Sequence, residues 1–390
     1  MDIHNYKRQY ERQIELLKED KDILQENKDF SLKFVDYLIS ETIGVAKIGR
    51  YLLDLRKYSK ILNKPFDKAN KDDIRHVIAQ IEQTTLAPES KKCFKVMLRK
   101  LYKFIRGIDE KGVYPEEVKW ISISIPKNQR KLPEELLTDE EIESIIRNCK
   151  TLRDKAFVST LAESGCRISE IGTMKIKHVS FEEYGVRITV NGKTGMRKIL
   201  IIQSAPYLQQ WINEHPKNDN FENFLWYNPQ GECLSYSALS KIIRLAAEKA
   251  GIKKRIYPHL FRHSRATGLA SKMSEASMKQ YMGWGQDSKM CGVYIHMSGE
   301  IMDNAILKMN GIEINEEKKE SKLKEKICPK CKTKNGVTNV FCYHCGMILN
   351  QEYAEEKIKE DTNRQMADSI MNNLMQDPEV LELFKRKLAV

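Results

Sequence analysis

The sequence predicts a mainly α-helical (α+β) protein: an N-terminal helical bundle, a mostly helical second domain with one small antiparallel sheet, and a C-terminal cysteine module with a helical tail. Apolar residues recur at helical spacing through residues 31–106 and again after residue 138. One pair of segments with alternating apolar residues flanks an Asn191-Gly192 turn signal. Two Cys-x-x-Cys pairs follow residue 326, at a spacing typical of metal ligands.

The length and charge of the chain indicate how many domains it has and what kind of partner it binds. A chain of 390 residues can bury a sizeable core and is expected to hold two or three domains. Its net charge of +12, most of it in residues 1–132, favours a polyanionic partner over an acidic small substrate. No apolar run approaches the ~20 residues of a membrane span, and the N-terminus is charged, unlike a signal peptide. We therefore expect a cytoplasmic protein with no membrane partner.

The N-terminal third is predicted to be helical throughout. Residues 1–29 form a charged helical arm with a sparse apolar face, expected to be solvated, with packing on a neighbour as the alternative. Residues 30–125 carry four apolar stripes at helical spacing, which predict a small bundle. Its spare faces are rich in Lys and Arg, which are either ordinary solvated residues or phosphate contacts. Residues 126–133 form a linker stiffened by two prolines, with three cations between them.

The second domain is predicted over residues 134–310. It opens with a capping box in which Thr138 and Glu141 flank a helix start. Segments 186–190 and 198–202 are predicted to pair as an antiparallel hairpin, with the Asn191-Gly192 turn signal in a turn over residues 190–195 and Lys193 at its tip. Helices are predicted at residues 206–214, 235–250, 259–271 and 275–282.

A set of residues in the second predicted domain indicates chemistry on a phosphate. His259 and Arg262 stand three positions apart on one helix, so an imidazole and a guanidinium share a face, as a phosphate oxyanion requires. In chain order the sequence offers an arginine that follows Gly165, a lysine at the hairpin tip, the His-x-x-Arg pair, a tryptophan and a tyrosine. Apart from the pair, these are Arg167, Lys193, Trp284 and Tyr294.

This ordered set resembles the tyrosine recombinase (phage integrase) family, and the resemblance covers most of residues 30–310. The stretch GWGQDSKMCGVYIHMSG looks most like archaeal members. The resemblance implies a core-binding, SAM-like DNA-binding domain at 30–125 and a catalytic domain at 134–310. It implies a site-specific recombinase that cleaves and rejoins DNA for integration or excision through a covalent 3′-phosphotyrosyl intermediate, without metal or ATP.

The resemblance also assigns roles. Tyr294 is the nucleophile, and Arg167 and Arg262 hold the non-bridging phosphate oxygens. Lys193 is the general acid on the leaving 5′ oxygen, although Arg197 lies close by in the same hairpin.

The remaining assignments concern residues beside the phosphate. His259 assists proton movement or bonds the phosphate. Trp284 stands where many relatives have histidine; its indole N–H can donate to the phosphate, or the ring simply packs in the core. Glu170 is expected to orient Arg167 or a helix rather than to take part in chemistry, and His263 is expected to be structural or to contact phosphate.

The cysteine quartet is interpreted as a zinc ribbon at residues 326–350. Four thiolates from two Cys-x-x-Cys knuckles bind one tetrahedral Zn²⁺ and leave no open position for water, which favours a structural ion. A redox pair is the alternative, and residues 351–390 are predicted to form a helical tail. The four ligands are Cys328, Cys331, Cys342 and Cys345.

Two other functions compete with recombination. A type IB topoisomerase shares the chemistry but relaxes DNA as a monomer, whereas a recombinase is expected to form a homo-tetramer on synapsed double-stranded DNA. An idle DNA-binding regulator with the same fold is disfavoured by the complete set of candidate catalytic residues.

Overall fold

The computed structural model describes residues 2–124, 136–192, 194–297 (backbone only for 295–297) and 322–376, with isolated positions at 307–310 and after 377. The chain divides into two compact units, Asp2–Lys131 and Leu132–Val390. Three predicted features lie outside the described residues: the linker 126–133, Lys193 and most of the tail after residue 376. No helix among the described residues is long and apolar enough to cross a membrane.

The first unit is entirely helical in its described residues. Its helices are α1 (Tyr6–Glu19), α2 (Gln25–Ser40), α3 (Val45–Leu62), α4 (Lys71–Gln83), α5 (Pro88–Ile105) and the short α6 (Glu116–Lys119). The four predicted apolar stripes meet in one core with Tyr58, Phe66, Phe94 and Tyr102 at its centre. The Tyr58 and Tyr102 hydroxyls hydrogen-bond each other, which satisfies both polar groups inside that core.

The N-terminal helix is not a solvated arm, so that expectation is wrong. Leu17 is fully buried, and Ile23 is 4% exposed in the same core as the bundle helices. The backbone of α1 passes close to α3 where Gly49 faces Tyr10, and the Arg56 guanidinium of α3 pairs with Asp20 at 3.0 Å. A sparse apolar face suffices because Leu17 is buried in the shared core and Asp20, which follows α1, pairs with Arg56 and Lys60 of α3.

The second unit is mostly helical, with a small sheet. Helices α7 (Asp139–Arg147), α8 (Leu152–Ser164) and α9 (Ile168–Gly172) precede strands β1 (Val179–Glu182), β2 (Gly185–Gly192) and β3 (Gly195–Ile201). Helices α10 (Ala205–Asn213), α11 (Tyr236–Lys249), α12 (Pro258–Ala270), α13 (Glu275–Met282) and α14 (Met290–Met297) follow. The predicted fold class is confirmed: mainly helical with one small antiparallel sheet.

Helix α8 is the central element of this unit. Nearly every residue from Ala156 to Ser164 is buried, because α7, α10, α12 and β3 all pack against this helix. The capping box that starts α7 is present as predicted: the Thr138 hydroxyl accepts from the Glu141 N–H, and the Glu141 carboxylate accepts from the Thr138 N–H.

The sheet differs from its prediction in two respects. Its order is β1-β2-β3, all antiparallel, and β1 was not predicted because it has only four residues, of which none is buried and only Val179 is half-buried. Asn191 and Gly192 pair with Met196 and Gly195, so both strands extend further toward the hairpin tip than the predicted segments 186–190 and 198–202. Gly195, at φ 98°, supplies the left-handed conformation that closes the hairpin.

Within the second unit, the cysteine module packs on helix α10. Strands β4 (Lys326–Ile327) and β5 (Lys334–Asn335) pair antiparallel, and α15 (Gln351–Leu374) follows with no buried residue. The Tyr207 hydroxyl of α10 accepts from the Thr338 N–H at 2.9 Å and lies 2.7 Å from Thr338 Oγ1. The ring lies directly under Gly336, where any side chain would collide with it.

We predict that Tyr207→Phe loosens this contact. Tyr207 is 1% exposed and Thr338 is 9% exposed, so loss of the hydroxyl leaves a buried N–H without a partner, at a cost of about 1–3 kcal/mol. Chemical denaturation should show the lower stability, and hydrogen exchange should show faster exchange in residues 335–340. Tyr184→Phe, at an exposed position in the same unit, is the control and should change neither. Unchanged exchange at Thr338 would contradict the assignment of this contact.

Candidate active site

Arg262 is held by the ends of two helices. It lies on α12, is 5% exposed, and donates from Nη1 to the Gly165 carbonyl at 2.9 Å and from Nη2 to the Met282 carbonyl at 2.7 Å. These carbonyls belong to the C-terminal ends of α8 and α13. Burial and the nearby Arg167 lower the pKa of Arg262 to about 10, against the effect of Glu170, so this guanidinium remains a cation at neutral pH.

Arg167 lies beside the same carbonyl groups. It immediately precedes α9, and its Nη1 donates to Glu170 Oε1 at 2.9 Å. Both terminal nitrogens lie 3.4 Å from the Gly283 carbonyl oxygen. The Glu170 carboxylate also accepts from the Arg167 main-chain N–H at 2.9 Å, so Glu170 contacts both the main chain and the side chain of Arg167.

Arg197 of β3 completes this cluster. Its two terminal nitrogens donate to the two carboxylate oxygens of Glu170 at 3.1 and 2.7 Å, and its Nε donates to the Tyr281 carbonyl at 2.9 Å. Burial opposes ionisation of Glu170, but the hydrogen bonds and charge of Arg197 and the bonds from Arg167 outweigh it, so the pKa of Glu170 lies below its ordinary value.

Sequence reasoning did not find this role for Arg197, although one signal was present. Arg197 alternates with Ile199 and Ile201, which are buried. A cation on the apolar side of a strand requires a buried partner.

Gly283 joins the hairpin to these arginines. Its φ of 62° ends α13, and a Cβ at this position would lie 2.5 Å from Arg197 Nη1. Its carbonyl accepts from Arg167 and also from Thr194 Oγ1 at 3.2 Å. Lys193 itself lies outside the described residues, and its neighbour Gly192 packs against the Glu170 carboxylate.

Tyr294 lies on α14 in a small apolar cluster with its hydroxyl against α12. It is 2% exposed, and its Oη lies 2.7 Å from His263 Nδ1. Its ring stacks on Trp284 with centroids 5.5 Å apart and planes 5° apart. The Arg262 guanidinium lies 5.7 Å from the centroid of the Trp284 ring, which therefore contacts both the tyrosine and the cation. Burial raises the pKa of the Tyr294 phenol, although the charge of Arg262 acts in the opposite direction.

The structure therefore brings most of the predicted residues to one place. His259 is exposed on the first turn of α12, with its ring centroid 6.4 Å from that of His263. The contact between His263 and the phenol was not predicted, because it depends on how α14 packs on α12. The predicted catalytic residues joined by contacts in this part of the chain are Arg167, His259, Arg262, Trp284 and Tyr294, with Glu170 beneath them.

A second cluster lies in the cysteine module. The sulfur atoms of Cys328, Cys331, Cys342 and Cys345 all lie within 4.8 Å of one another. The Cys328–Cys345 and Cys331–Cys342 sulfur pairs are 3.6 and 3.5 Å apart, far longer than a disulfide bond.

The part of the chain that carries the arginine and tyrosine residues is similar to known proteins. Residues 135–300 match the model of the phage integrase family. A tyrosine recombinase of Pseudothermotoga lettingae is 26% identical over 282 residues, 71% of this chain and 88% of that protein.

Solved structures show the same fold. XerH recombinase in a post-cleavage complex with its palindromic difH substrate superposes with a TM-score of 0.56 and 19% identity, over 79% of this chain and 97% of that one. A lambda integrase tetramer bound to a Holliday junction superposes with a TM-score of 0.53 and 16% identity, over 67% of this chain and 78% of that one. Residues 135–300 and the relative described above thus make this chain similar to the phage integrase family of tyrosine recombinases.

Proposed function

We infer that this protein is a site-specific DNA recombinase, which cleaves and rejoins double-stranded DNA through a covalent 3′-phosphotyrosyl intermediate in integration or excision. The observation that carries the proposal is the position of Tyr294, whose phenol lies beside Arg262, His263 and Trp284 of its own chain. The site thus combines a nucleophile with cations that can hold a phosphate. The relatives and solved structures named above are recombinases, and two of them hold DNA.

In this proposal, Arg167 and Arg262 hold the non-bridging oxygens of the scissile phosphate. A guanidinium has five N–H donors, so contacts with main-chain carbonyls leave donors for phosphate oxygens. Carbonyl dipoles fix the direction of a cation without cancelling its charge. A preorganised donor of this kind contributes on the order of 3 kcal/mol to a transition state.

The other side chains act on protons and on the leaving group. Tyr294 attacks phosphorus, and the 5′ oxygen leaves with a proton for which the assigned donor is Lys193. Trp284 donates its indole N–H to the phosphate, and His259 contacts the phosphate or moves protons. The proposed chemistry uses side chains alone and conserves the energy of the phosphodiester in the phosphotyrosyl bond, so the reaction reverses without ATP.

The proposed domains follow from these roles. Residues 30–125 form the core-binding domain and 134–310 the catalytic domain, joined by the linker 126–133, and these domains grip the duplex. Four chains act together on two duplexes, because strand exchange requires four cleavages. The sequence from Gly283 to Gly299 supports an archaeal affiliation.

The cysteine module is proposed to be a zinc ribbon with a structural Zn²⁺. A tetrahedral ion with Zn–S bonds of about 2.3 Å has sulfur atoms about 3.8 Å apart, close to the 3.5 and 3.6 Å of the two sulfur pairs. The buried Asn335 amide lies 3.6 Å from Cys342 Sγ, and Thr333 Oγ1 lies 3.2 Å from Cys331 Sγ, so polar groups surround the sulfurs as they do in metal sites. With four sulfur ligands the ion has no open position and supports the fold rather than the reaction.

We predict that Tyr294→Phe and Arg262→Ala each abolish the covalent adduct and that mixing the two variants does not restore it. The nucleophile and Arg262 lie in one chain, so no mixed assembly contains a complete site. Incubation with random genomic fragments and sequencing of the covalently trapped ends first identifies a target site. A nicked duplex carrying that site then measures adduct formation on a denaturing gel.

Three results of this experiment would count against the proposal. An adduct in the mixture would mean that the tyrosine acts on a neighbouring chain's site. An adduct that maps to Tyr281 or Tyr257, or that is attached to a 5′ end, would contradict the mechanism. Relaxation of supercoils by a monomer without strand exchange would favour a topoisomerase.

We predict a large loss of stability and cleavage in Arg197→Gln. The carboxylate of Glu170 is 2% exposed, and loss of one partner of a buried pair costs about 3–5 kcal/mol. Arg167 then loses its fixed support, so adduct formation should fall by roughly ten- to a hundredfold, since about 1.4–2.7 kcal/mol of transition-state stabilisation is lost.

Arg187→Gln is the matched control for this variant. Arg187 makes a similar two-nitrogen contact with Glu182, but at the surface, where solvent screens the pair and it contributes little to stability. It should leave stability and cleavage almost unchanged. Equal effects of the two substitutions would show that the buried pair has no special role.

Zinc removal is predicted to lower stability and to spare the chemistry. The purified chain should contain one Zn²⁺, and Cys328→Ser or chelation should lower the melting temperature, because the module covers Tyr207. Adduct formation below the new melting temperature should persist. Loss of cleavage in a chelated protein that stays folded and bound to DNA would assign the metal to the reaction instead.

A further inference from the structure

His263 contacts the oxygen atom to which the proposed function assigns the attack on phosphorus. Its Nδ1 lies 2.7 Å from Tyr294 Oη, and the two ring centroids are 5.9 Å apart. From the sequence, His263 was expected to be structural or to contact phosphate, because the His-x-x-Arg motif consists of His259 and Arg262. The contact arises from the packing of α14 on α12.

The phenol cannot lose its proton unaided at neutral pH. A tyrosine has an ordinary pKa of about 10, and burial raises the pKa of Tyr294 further. The positive charge of Arg262 partly counters this effect, whereas Tyr257 adds to it. A protonated phenol is a weak nucleophile, so its proton has to pass to a base as the new bond forms.

The groups around Tyr294 differ in their ability to take this proton. Arg262 is a cation and has no acceptor atom, and the Tyr257 hydroxyl is as weak a base as the phenol itself. His259 is on the first turn of the same helix, and its ring centroid lies 6.4 Å from that of His263. An imidazole has an ordinary pKa near 6.5, so its neutral form is abundant at pH 7 and has one nitrogen that accepts.

We propose that His263 is the general base for the nucleophile, so that its Nδ1 accepts the Tyr294 proton as Oη attacks the scissile phosphorus. The proposal rests on the recombinase function inferred above. In the step, the Oη–H bond breaks and an Nδ1–H bond forms, while Oη–P forms and P–O5′ breaks. The 5′ oxygen leaves with a proton from the general acid. In rejoining, the 5′ hydroxyl returns its proton to the general acid as its oxygen attacks phosphorus, the Oη–P bond breaks, and His263 returns its proton to the departing phenolate.

Replacement of His263 by asparagine separates proton transfer from positioning. The asparagine Oδ1 stands close to the place of Nδ1 and accepts the phenol hydrogen bond, but it cannot take the proton. The substrate is a duplex with a bridging 5′ sulfur at the target phosphate. A thiolate has a much lower pKa than an alkoxide and leaves without a proton, so the rate reports on the nucleophile rather than on the general acid.

We expect His263→Asn to bind DNA as the parent chain does and to cleave roughly 10²- to 10⁴-fold more slowly at pH 7. The parent rate should depend on pH less steeply than the rate of the variant, because the imidazole supplies the base. The rate of the variant should rise about tenfold per pH unit up to pH 9, because hydroxide then removes the proton, so the deficit shrinks. His263→Gln serves as a second variant if the asparagine variant does not fold.

His178→Asn is the matched control. Its Nδ1 accepts a hydrogen bond from the Lys175 N–H at 3.1 Å, and asparagine can preserve that bond. It should cleave within about threefold of the parent chain, within the scatter of surface substitutions.

Two results would overturn the proposal: cleavage by His263→Asn within threefold of the parent, or a deficit that stays constant across pH. A constant deficit would mean that His263 only holds the tyrosine in place. The parent chain and Tyr294→Phe are tested in parallel. An adduct in Tyr294→Phe, or none in the parent chain, would refute the recombinase mechanism itself rather than the role of His263.

Discussion

The buried carboxylate of Glu170 is the interaction on which the candidate site depends. A carboxylate that is 2% exposed is tolerated only when it is paired and hydrogen-bonded, and Glu170 has both guanidinium partners and a main-chain N–H. Its partners come from different segments: Arg167 from the start of α9 and Arg197 from the hairpin. Arg197 also donates to the last turn of α13 and fills the space beside Gly283. One charge therefore fixes three segments whose sequences are far apart.

The second constraint is the use of helix ends to hold cations. Gly165 and Gly283 both end helices with positive φ, and their carbonyls accept from Arg262 and Arg167 respectively. The C-terminal end of a helix carries partial negative charge, which attracts a guanidinium without forming an ion pair. Arg167 also pairs with Glu170, whereas Arg262 donates to carbonyls. Arg262 in particular is fixed by two main-chain carbonyls, so its direction is set and its charge stays available.

The parts of this structure that depend on local sequence could be predicted, and the parts that depend on packing between distant segments could not. The helix bounds after residue 200 and the capping box of Thr138 follow from periodicity and capping, which act over a few residues. Strand β2 continues two residues beyond its predicted end at Val190, because pairing with β3 extends as far as Gly192 and Gly195, where Gly195 supplies a positive φ. The contact of His263 with Tyr294 follows no motif, since it requires α14 to return to α12. The burial of Leu17 likewise depends on α3.

The support for the site extends outward through α8. The carbonyl of Gly165 at its C-terminal end accepts from Arg262. Two residues earlier, the carboxylate of Glu163 accepts from the main-chain N–H groups of Ile202, Gln203 and Ser204. Those residues end β3 and begin α10, the helix whose Tyr207 holds the cysteine module. The hairpin is thus fixed at its base by Glu163 and near its tip by Glu170. The described residues of the module contact α10 through Tyr207. Under the proposed function, a metal bound there would act on the stability of this frame, while the reaction would depend on groups that α8, α9, α12 and α14 bring together.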